Sequence, residues 1–133
     1  MEELPHLNFP QLEQLASRSD GVEVPCSCCK TPMIAWSSVP VSFPEDQLRR
    51  IGTLIQGNVD EASFAESHPD GSSYWSEAAP IAPLYYPYNR SDVWECCVCR
   101  RVFLRYTEGG GYFVDQRVRL LSVALLADTP LPD

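Results

Sequence analysis

The six cysteines of this chain fall into two short clusters, and their spacing implies a specific chemistry. The first cluster is PCSCCKTP and the second is WECCVCRRVF. Cys26 and Cys29 are separated by two residues, and so are Cys96 and Cys99. Two C-x-x-C pairs supply four thiolates, which is the ligand set of a tetrahedral zinc site. The sequence therefore predicts one four-cysteine metal site.

Cys28 and Cys97 lie inside these pairs, and the spacing assigns them no metal-binding role. If either residue were a ligand, its pair would be C-x-C, which fits a tetrahedral ion less well than C-x-x-C. We expect both to be small thiols beside the site, with a second metal ion or a redox role as the alternatives.

Other chemistries of clustered cysteines fit this sequence less well. A thioredoxin-like redox pair opens a helix after a buried strand, whereas a Lys-Thr-Pro segment follows the first pair. Structural disulfides suit secreted proteins, and the chain begins without the basic and apolar segments of an export signal. Iron uses the same four ligands, and the sequence does not distinguish it from zinc. Because four thiolates leave no open position, we expect one structural Zn²⁺ per chain.

The two pairs resemble those of the zinc-ribbon class, in which each pair begins a β-hairpin and two hairpins share one zinc ion. The ligands that this resemblance implies are Cys26, Cys29, Cys96 and Cys99. The chain departs from the class because no glycine follows either pair and because residues 30–95 exceed the usual separation of about 15 to 20 residues. The resemblance thus implies an insertion at about residues 40–93. The stretch FLRYTEGGGYFVDQRVRLL also resembles the C-terminal part of small uncharacterised bacterial proteins.

Two segments with helical periodicity flank the first cysteine cluster. Residues 8–19, NFPQLEQLASRS, begin with a capping residue and a proline, and their apolar residues lie on one helical face. Residues 44–58, PEDQLRRIGTLIQGN, begin with proline and two acidic residues and continue with apolar residues at helical spacing. The sequence predicts a helix in each segment.

A β-hairpin is predicted after the second cysteine pair, with a three-residue turn at Gly109–Gly111. This turn would pair Arg105 with Asp115 and would place most of the nearby basic residues on one face. Zinc ribbons with a basic, aromatic face often contact nucleic acid through phosphates and stacked bases. The candidate nucleic-acid-binding residues are Arg100, Arg101, Arg105, Arg117 and Arg119.

Residues 59–90 lack periodicity and are rich in aromatic and turn-forming residues. Tyrosine and tryptophan are enriched at protein interfaces, but they also pack as lids over small cores. The candidate partner-binding residues are Tyr74, Trp75, Tyr85, Tyr86 and Tyr88.

Length and charge limit the classes of function. A chain of 133 residues predicts a single domain, residues 1–133. A formal net charge of −8 disfavours general attraction to nucleic acid or anionic membranes and favours a basic partner. Because no apolar run is long enough to span a bilayer, we expect no membrane association and a cytoplasmic location.

No catalytic constellation is evident in the sequence. His6 and His68 have no motif that places them beside a nucleophile, and Ser72 and Ser73 lack a G-x-S-x-G context. We therefore expect neither an enzyme nor a small-molecule substrate.

These features predict an α+β fold, an interrupted zinc ribbon of two β-hairpin knuckles with an N-terminal helix and an inserted helix plus aromatic loop. The predicted function is that of a small acidic zinc protein that binds another protein, of the inhibitor or immunity type. The alternative is a nucleic-acid-binding zinc ribbon that uses the basic hairpin.

Overall fold

A five-stranded antiparallel sheet forms the centre of the protein in the computed structural model, which describes residues 4–58, 61–109 and 114–131. The strands are β1 (Ser37–Ser38), β2 (Leu48–Thr53), β3 (Asp92–Cys96), β4 (Val102–Gly109) and β5 (Val114–Leu120). Their order across the sheet is β1-β5-β4-β3-β2. Strands β3, β4 and β5 are consecutive neighbours, so the second cysteine pair lies within a continuous meander.

The predicted N-terminal helix is confirmed as α1 (Phe9–Asp20). A capping box closes its first turn: the Asn8 side chain accepts a hydrogen bond from the Gln11 N–H (3.0 Å), and the Gln11 side chain accepts one from the Asn8 N–H (2.9 Å). Leu12 and Ala16 are completely buried. In the described part of the chain, no helix is long and apolar enough to cross a membrane.

The helix predicted at residues 44–58 is wrong, because this segment is a 3₁₀ turn at Glu45–Gln47 followed by β2. β2 pairs with β3 and contains a β-bulge between Arg50 and Gly52. The bulge inserts one residue, so the apolar side chains depart from strict alternation and recur at a spacing that resembles a helix. Gly52 suits this close packing, since a Cβ there would lie 2.7 Å from the side chain of Leu7. Pairing with β3 therefore overrides the helical pattern.

The predicted hairpin is present as β4 and β5, but its predicted register is wrong. Arg105 pairs with Val118 instead of Asp115. The predicted turn at Gly109–Gly111 lies partly outside the described residues; the two strands are joined across residues 110–113. The register differs from the prediction by an odd number of residues, which moves the side chains of one strand to the other face of the sheet.

Each face of the sheet carries its own apolar cluster. The helix face, to which β4 contributes Leu104, is covered by α1 and by the aromatic segment. The cysteine face, to which β4 contributes Phe103, is covered by residues 22–43 and contains the buried cysteine thiols. Alternation along β4 supplies both clusters, so the sheet separates the cysteines from most of the aromatic residues.

The observed architecture corrects the predicted α+β zinc ribbon. Within the described ranges the fold contains one α-helix, α1, and no inserted helix, so the antiparallel sheet dominates it. The first cysteine pair lies in a 3₁₀ turn at Ser27–Cys29 instead of at the start of a hairpin. The long segment between the pairs contributes β1 and β2 to the sheet, which is why it is not an independent insertion.

Candidate metal centre

The second cysteine pair lies in the tight turn between β3 and β4. The Cys96 N–H donates to the Arg101 carbonyl (2.9 Å), and the Arg100 N–H donates to the Cys96 carbonyl (2.8 Å). Arg100 has a φ of 77°, the left-handed conformation that glycine adopts without cost. The turn therefore forms without the glycine that the zinc-ribbon pattern would place after Cys99, at some cost in backbone strain.

The first cysteine cluster is tied to this turn by the side chain of Arg101. Its guanidinium donates to the carbonyl of Val24 (2.9 Å) and to the carbonyl of Val22 (3.2 Å). These bonds hold the segment that leads into the first pair beside the residue that follows the second pair. The protein scaffold therefore brings the two clusters together.

Four sulfur atoms meet between the two turns. The Sγ atoms of Cys26, Cys28, Cys96 and Cys99 all lie within 4.8 Å of one another. The Sγ–Sγ distance is 3.7 Å from Cys26 to Cys96 and 3.5 Å from Cys28 to Cys99. A tetrahedral site with metal–sulfur bonds of about 2.3 Å has sulfur atoms about 3.8 Å apart. The cluster therefore has the ligand type and the spacing to hold a thiophilic metal ion.

Burial and mutual hydrogen bonding perturb these thiols. Burial raises the pKa of Cys28 and that of Cys96. Burial also acts to raise the pKa of Cys26, but hydrogen bonds from the Cys28 backbone and from the neighbouring thiols outweigh it and lower this pKa to about 7. Because metals bind thiolates, a bound cation would displace the protons and compensate the buried negative charge.

The four-sulfur group contains Cys28 where the spacing predicted Cys29. The 3₁₀ turn buries Cys28 completely and leaves Cys29 half-buried. Cys29 is nevertheless close, since its Sγ lies 3.6 Å from that of Cys28. Cys97 is exposed and lies outside the group. The C-x-x-C spacing favours Cys29 and the folded turn favours Cys28, so the identity of the fourth ligand stays a prediction.

Comparison of the chain with protein-family models, with curated proteins and with solved structures finds no match. The cysteine cluster is consistent with a metal site, but no family match supports the resemblance to the zinc-ribbon class. The interpretation of function therefore rests on the geometry of the described residues.

The five candidate nucleic-acid-binding arginines do not share one surface. The observed register places Arg105 on the cysteine face and places Arg117 and Arg119 on the helix face, which corrects the predicted single basic face. Arg119 is completely buried and donates to the Ala79 carbonyl (2.8 Å) and to the Tyr88 hydroxyl. Arg119 is therefore a structural residue of the core.

The other arginines of this set are also engaged within the protein. Arg100 pairs with Glu95 (Nε to Oε2, 3.2 Å), which is buried and also pairs with Arg18 and Arg49. Arg105 pairs with Glu45. Arg117 pairs with Asp115 (3.0 Å), and Arg101 donates to the two backbone carbonyls described above. Internal ion pairs therefore neutralise much of the charge of the hairpin.

The five candidate partner-binding aromatics differ in exposure. Tyr85 and Tyr88 are buried, Tyr74 and Tyr86 are half-buried, and Trp75 is 54% exposed. The buried members act as part of the core, and Tyr88 packs against Trp36 with ring centroids 5.6 Å apart. Only a part of the predicted set is therefore available to a partner.

Three of these residues belong to an aromatic row on the helix face, which consists of Phe64, Tyr86, Tyr106, Tyr74 and Trp75. Its ring-centroid distances are 5.5 Å for Phe64–Tyr86, 6.2 Å for Tyr86–Tyr106 and 4.5 Å for Tyr74–Trp75, and the hydroxyls of Tyr74 and Tyr106 are hydrogen-bonded. The two ends are exposed, Phe64 at 70% and Trp75 at 54%. Phe64 and Tyr106 were not among the predicted residues, although Phe64 lies in the same segment as the others.

An arginine side chain stacks on the ring at each end of the aromatic row. The guanidinium carbon of Arg90 lies 4.1 Å from the ring centroid of Phe64, and that of Arg117 lies 4.7 Å from the ring centroid of Trp75. The Tyr86 hydroxyl donates to the Glu108 carboxylate. Burial, and next this hydrogen bond to a carboxylate, raise the pKa of Tyr86 to about 12.

His68 lies between two hydrogen-bonding partners that the sequence did not suggest. Its Nδ1 is 2.8 Å from Ser72 Oγ, and its Nε2 is 2.7 Å from Glu66 Oε1. The cavity that His68 lines has a volume of about 10 Å³, which holds about one water molecule. The side chains of Glu66, His68 and Ser72 therefore form a hydrogen-bonded network within the loop.

An open cavity of about 590 Å³ lies beside Trp94. The guanidinium carbon of Arg105 is 4.9 Å from the Trp94 ring centroid, and that of Arg50 is 5.8 Å from it. Arg50 pairs with Asp92 (3.2 Å) and Arg105 pairs with Glu45. The cavity therefore combines an aromatic ring with charges of both signs.

Proposed function

We propose that this protein is a protein-interaction module whose fold is stabilised by one structural zinc ion. The observation that carries the metal part is the set of four sulfur atoms within 4.8 Å of one another, three of which belong to buried cysteines. Zinc suits four thiolates in a site that does no redox chemistry, and four protein ligands leave no position for a reacting water. Elemental analysis should find one zinc per chain; protein without metal, or with iron instead of zinc, would refute this part.

The aromatic row supports the interaction part of the proposal. Tryptophan, tyrosine and arginine are the residue types enriched at binding hot spots, and here two arginines stack on the exposed ends of one row. Stacking orders these side chains before binding, which lowers the entropic cost of association. The partner is a basic protein, because the net charge of −8 attracts a positive surface. An inhibitor or immunity protein that neutralises a basic target has this character.

Affinity capture from the native host, followed by calorimetry with the purified partner, tests this interface. We expect Trp75→Ala and Phe64→Ala each to weaken binding by roughly 10-fold or more, as for a hot-spot residue. Val41→Ala is the control, since Val41 is fully exposed and lies outside the aromatic row. Equal binding by all three variants would show that the partner does not contact the row.

Nucleic-acid binding is the second candidate function, and the cavity beside Trp94 favours it. A base can stack on a tryptophan while the neighbouring guanidiniums contact phosphate. Titration with single-stranded oligonucleotides at several salt concentrations separates the two functions. Binding that weakens steeply with salt and is lost in Trp94→Ala would support this candidate, whereas salt-tolerant protein binding through the row would support the first.

A further inference from the structure

The first cysteine cluster supplies three thiols where a four-thiolate site needs two. Cys26 is 3.7 Å from Cys96, while Cys28 is 3.5 Å from Cys99 and 3.6 Å from Cys29, measured between Sγ atoms. All three distances are close to the edge of a tetrahedron of zinc-bound sulfurs, about 3.8 Å. The fold therefore places a fifth thiol, that of Cys29, in contact with one member of the four-sulfur group.

Two independent features select different members of the pair Cys28 and Cys29. The C-x-x-C spacing selects Cys29, whereas the folded 3₁₀ turn places Cys28 in the four-sulfur group. The two thiols belong to neighbouring residues and their sulfurs are 3.6 Å apart, so an exchange between them involves this turn alone.

We propose that Cys28 and Cys29 are alternative ligands for the fourth position of the metal site, so that either one completes it. In the exchange, a new zinc–sulfur bond forms to the incoming thiolate and the bond to the outgoing thiolate breaks. The outgoing sulfur takes up the proton that the incoming thiol released. The number of thiolates on the ion is unchanged, and no oxidant or reductant is required.

This inference rests on the proposed zinc function, and it has a consequence that a fixed ligand set lacks. In the metal-loaded protein one member of the pair is always an unbound thiol, and over time it is sometimes Cys28 and sometimes Cys29. An alkylating reagent should therefore label Cys97 and one member of the pair. Peptide mapping should find the second label distributed over both Cys28 and Cys29.

The test compares native protein with Cys28→Ser, Cys29→Ser, the double variant and the control Cys97→Ser, all loaded with zinc. We expect each single variant to retain the zinc content of the native protein and to show only Cys97 reactive. The double variant should lose at least about 100-fold in zinc affinity, beyond the effect of removing an outer-shell contact.

Loss of zinc in one single variant as complete as in the double variant would overturn the inference and identify one fixed ligand. Labelling confined to one member of the pair in native protein would also overturn it, and this measurement does not depend on the variants folding. If native protein and Cys97→Ser bind no zinc, the proposed metal function fails instead. The two failures are thus distinguishable.

Discussion

At the scale of single residues, Arg100 shows the backbone conformation that the turn between β3 and β4 requires. Its φ of 77° is a conformation in which a side chain is strained, yet its N–H must donate to the Cys96 carbonyl for the turn to close. The Arg100 side chain is held by Glu95, so the residue contributes an ion pair at a site that favours glycine.

Replacing Arg100 separates these two contributions. Arg100→Ala removes the ion pair and keeps the strain, whereas Arg100→Gly removes both. We expect the glycine variant to have a free energy of unfolding about 1 kcal/mol higher than the alanine variant. Chemical denaturation of the metal-loaded proteins measures the difference, and equal stabilities would show that the turn is unstrained.

Arg119 is predicted to be the least replaceable arginine of the hairpin. It is completely buried and bonds three backbone carbonyls, those of Ile34, Glu77 and Ala79, as well as the Tyr88 hydroxyl. Lysine cannot reproduce this planar set of donors. We expect Arg119→Lys to lower the free energy of unfolding by about 3 kcal/mol, because several buried acceptors lose their partner. Arg49→Lys is the control, because the Arg49 side chain is exposed, and it should change the free energy of unfolding by less than about 0.5 kcal/mol. Similar losses of stability in both variants would contradict a core role for Arg119.

At the scale of elements, the aromatic row gives the protein a pH dependence in the alkaline range. The pKa of Tyr86 is about 12 in the folded protein, above the ordinary value of about 10. Between these two values the unfolded chain releases a proton that the folded protein keeps. The contribution of Tyr86 to the free energy of unfolding is therefore fully present below about pH 10 and is lost as the pH rises toward about 12.

Tyr86→Phe should remove this contribution, because phenylalanine does not ionise. Denaturation of native protein and variant at a series of pH values measures the effect, and the thiols ionise in both proteins, so their effect cancels in the difference. We expect the stability difference between the two proteins to shrink or reverse between about pH 10 and about pH 12. A difference that is constant with pH would show that Glu108 and burial do not perturb Tyr86.

At the scale of the whole molecule, the cysteine cluster and the aromatic row lie on opposite faces of one sheet. Cys96 is completely buried beside Phe103 on the cysteine face, while Tyr106 joins the row on the helix face. Strand β4 carries both Phe103 and Tyr106. Loss of the metal should therefore destabilise the entire sheet, and the aromatic row with it.

We expect chelation, or Cys96→Ser, to lower the free energy of unfolding by at least about 3 kcal/mol, because the site closes a long loop and its thiols are buried. Cys97→Ser is the matched control, since Cys97 is the adjacent cysteine and is exposed. Thermal melts with and without chelator measure the effect. An apo protein with an unchanged melting temperature would show that the cysteines are dispensable to the fold.

The sequence by itself determined the features that depend on neighbouring residues. The cap and apolar stripe of α1 were predicted correctly because helical contacts join residues three and four apart. A cysteine cluster was also predicted, because the residue types and the spacing of two C-x-x-C pairs match the ligand set of one tetrahedral site, although the sequence did not show how the two pairs meet. The pairing of β4 with β5 was predicted for the same reason, since the two strands are consecutive.

Only the tertiary structure decided the features that depend on distant partners. Residues 48–53 form a strand because β3 offers a pairing edge, and their own periodicity does not reveal the bulge. The register of β5 separates Arg105 from Arg119, and a single odd shift decides which arginine is buried. Likewise, the choice between Cys28 and Cys29 depends on how the 3₁₀ turn at Ser27–Cys29 packs against the distant turn between β3 and β4. The physical reason is that long-range pairing, burial and ligand convergence are properties of the assembled chain, and short-range patterns carry little information about them.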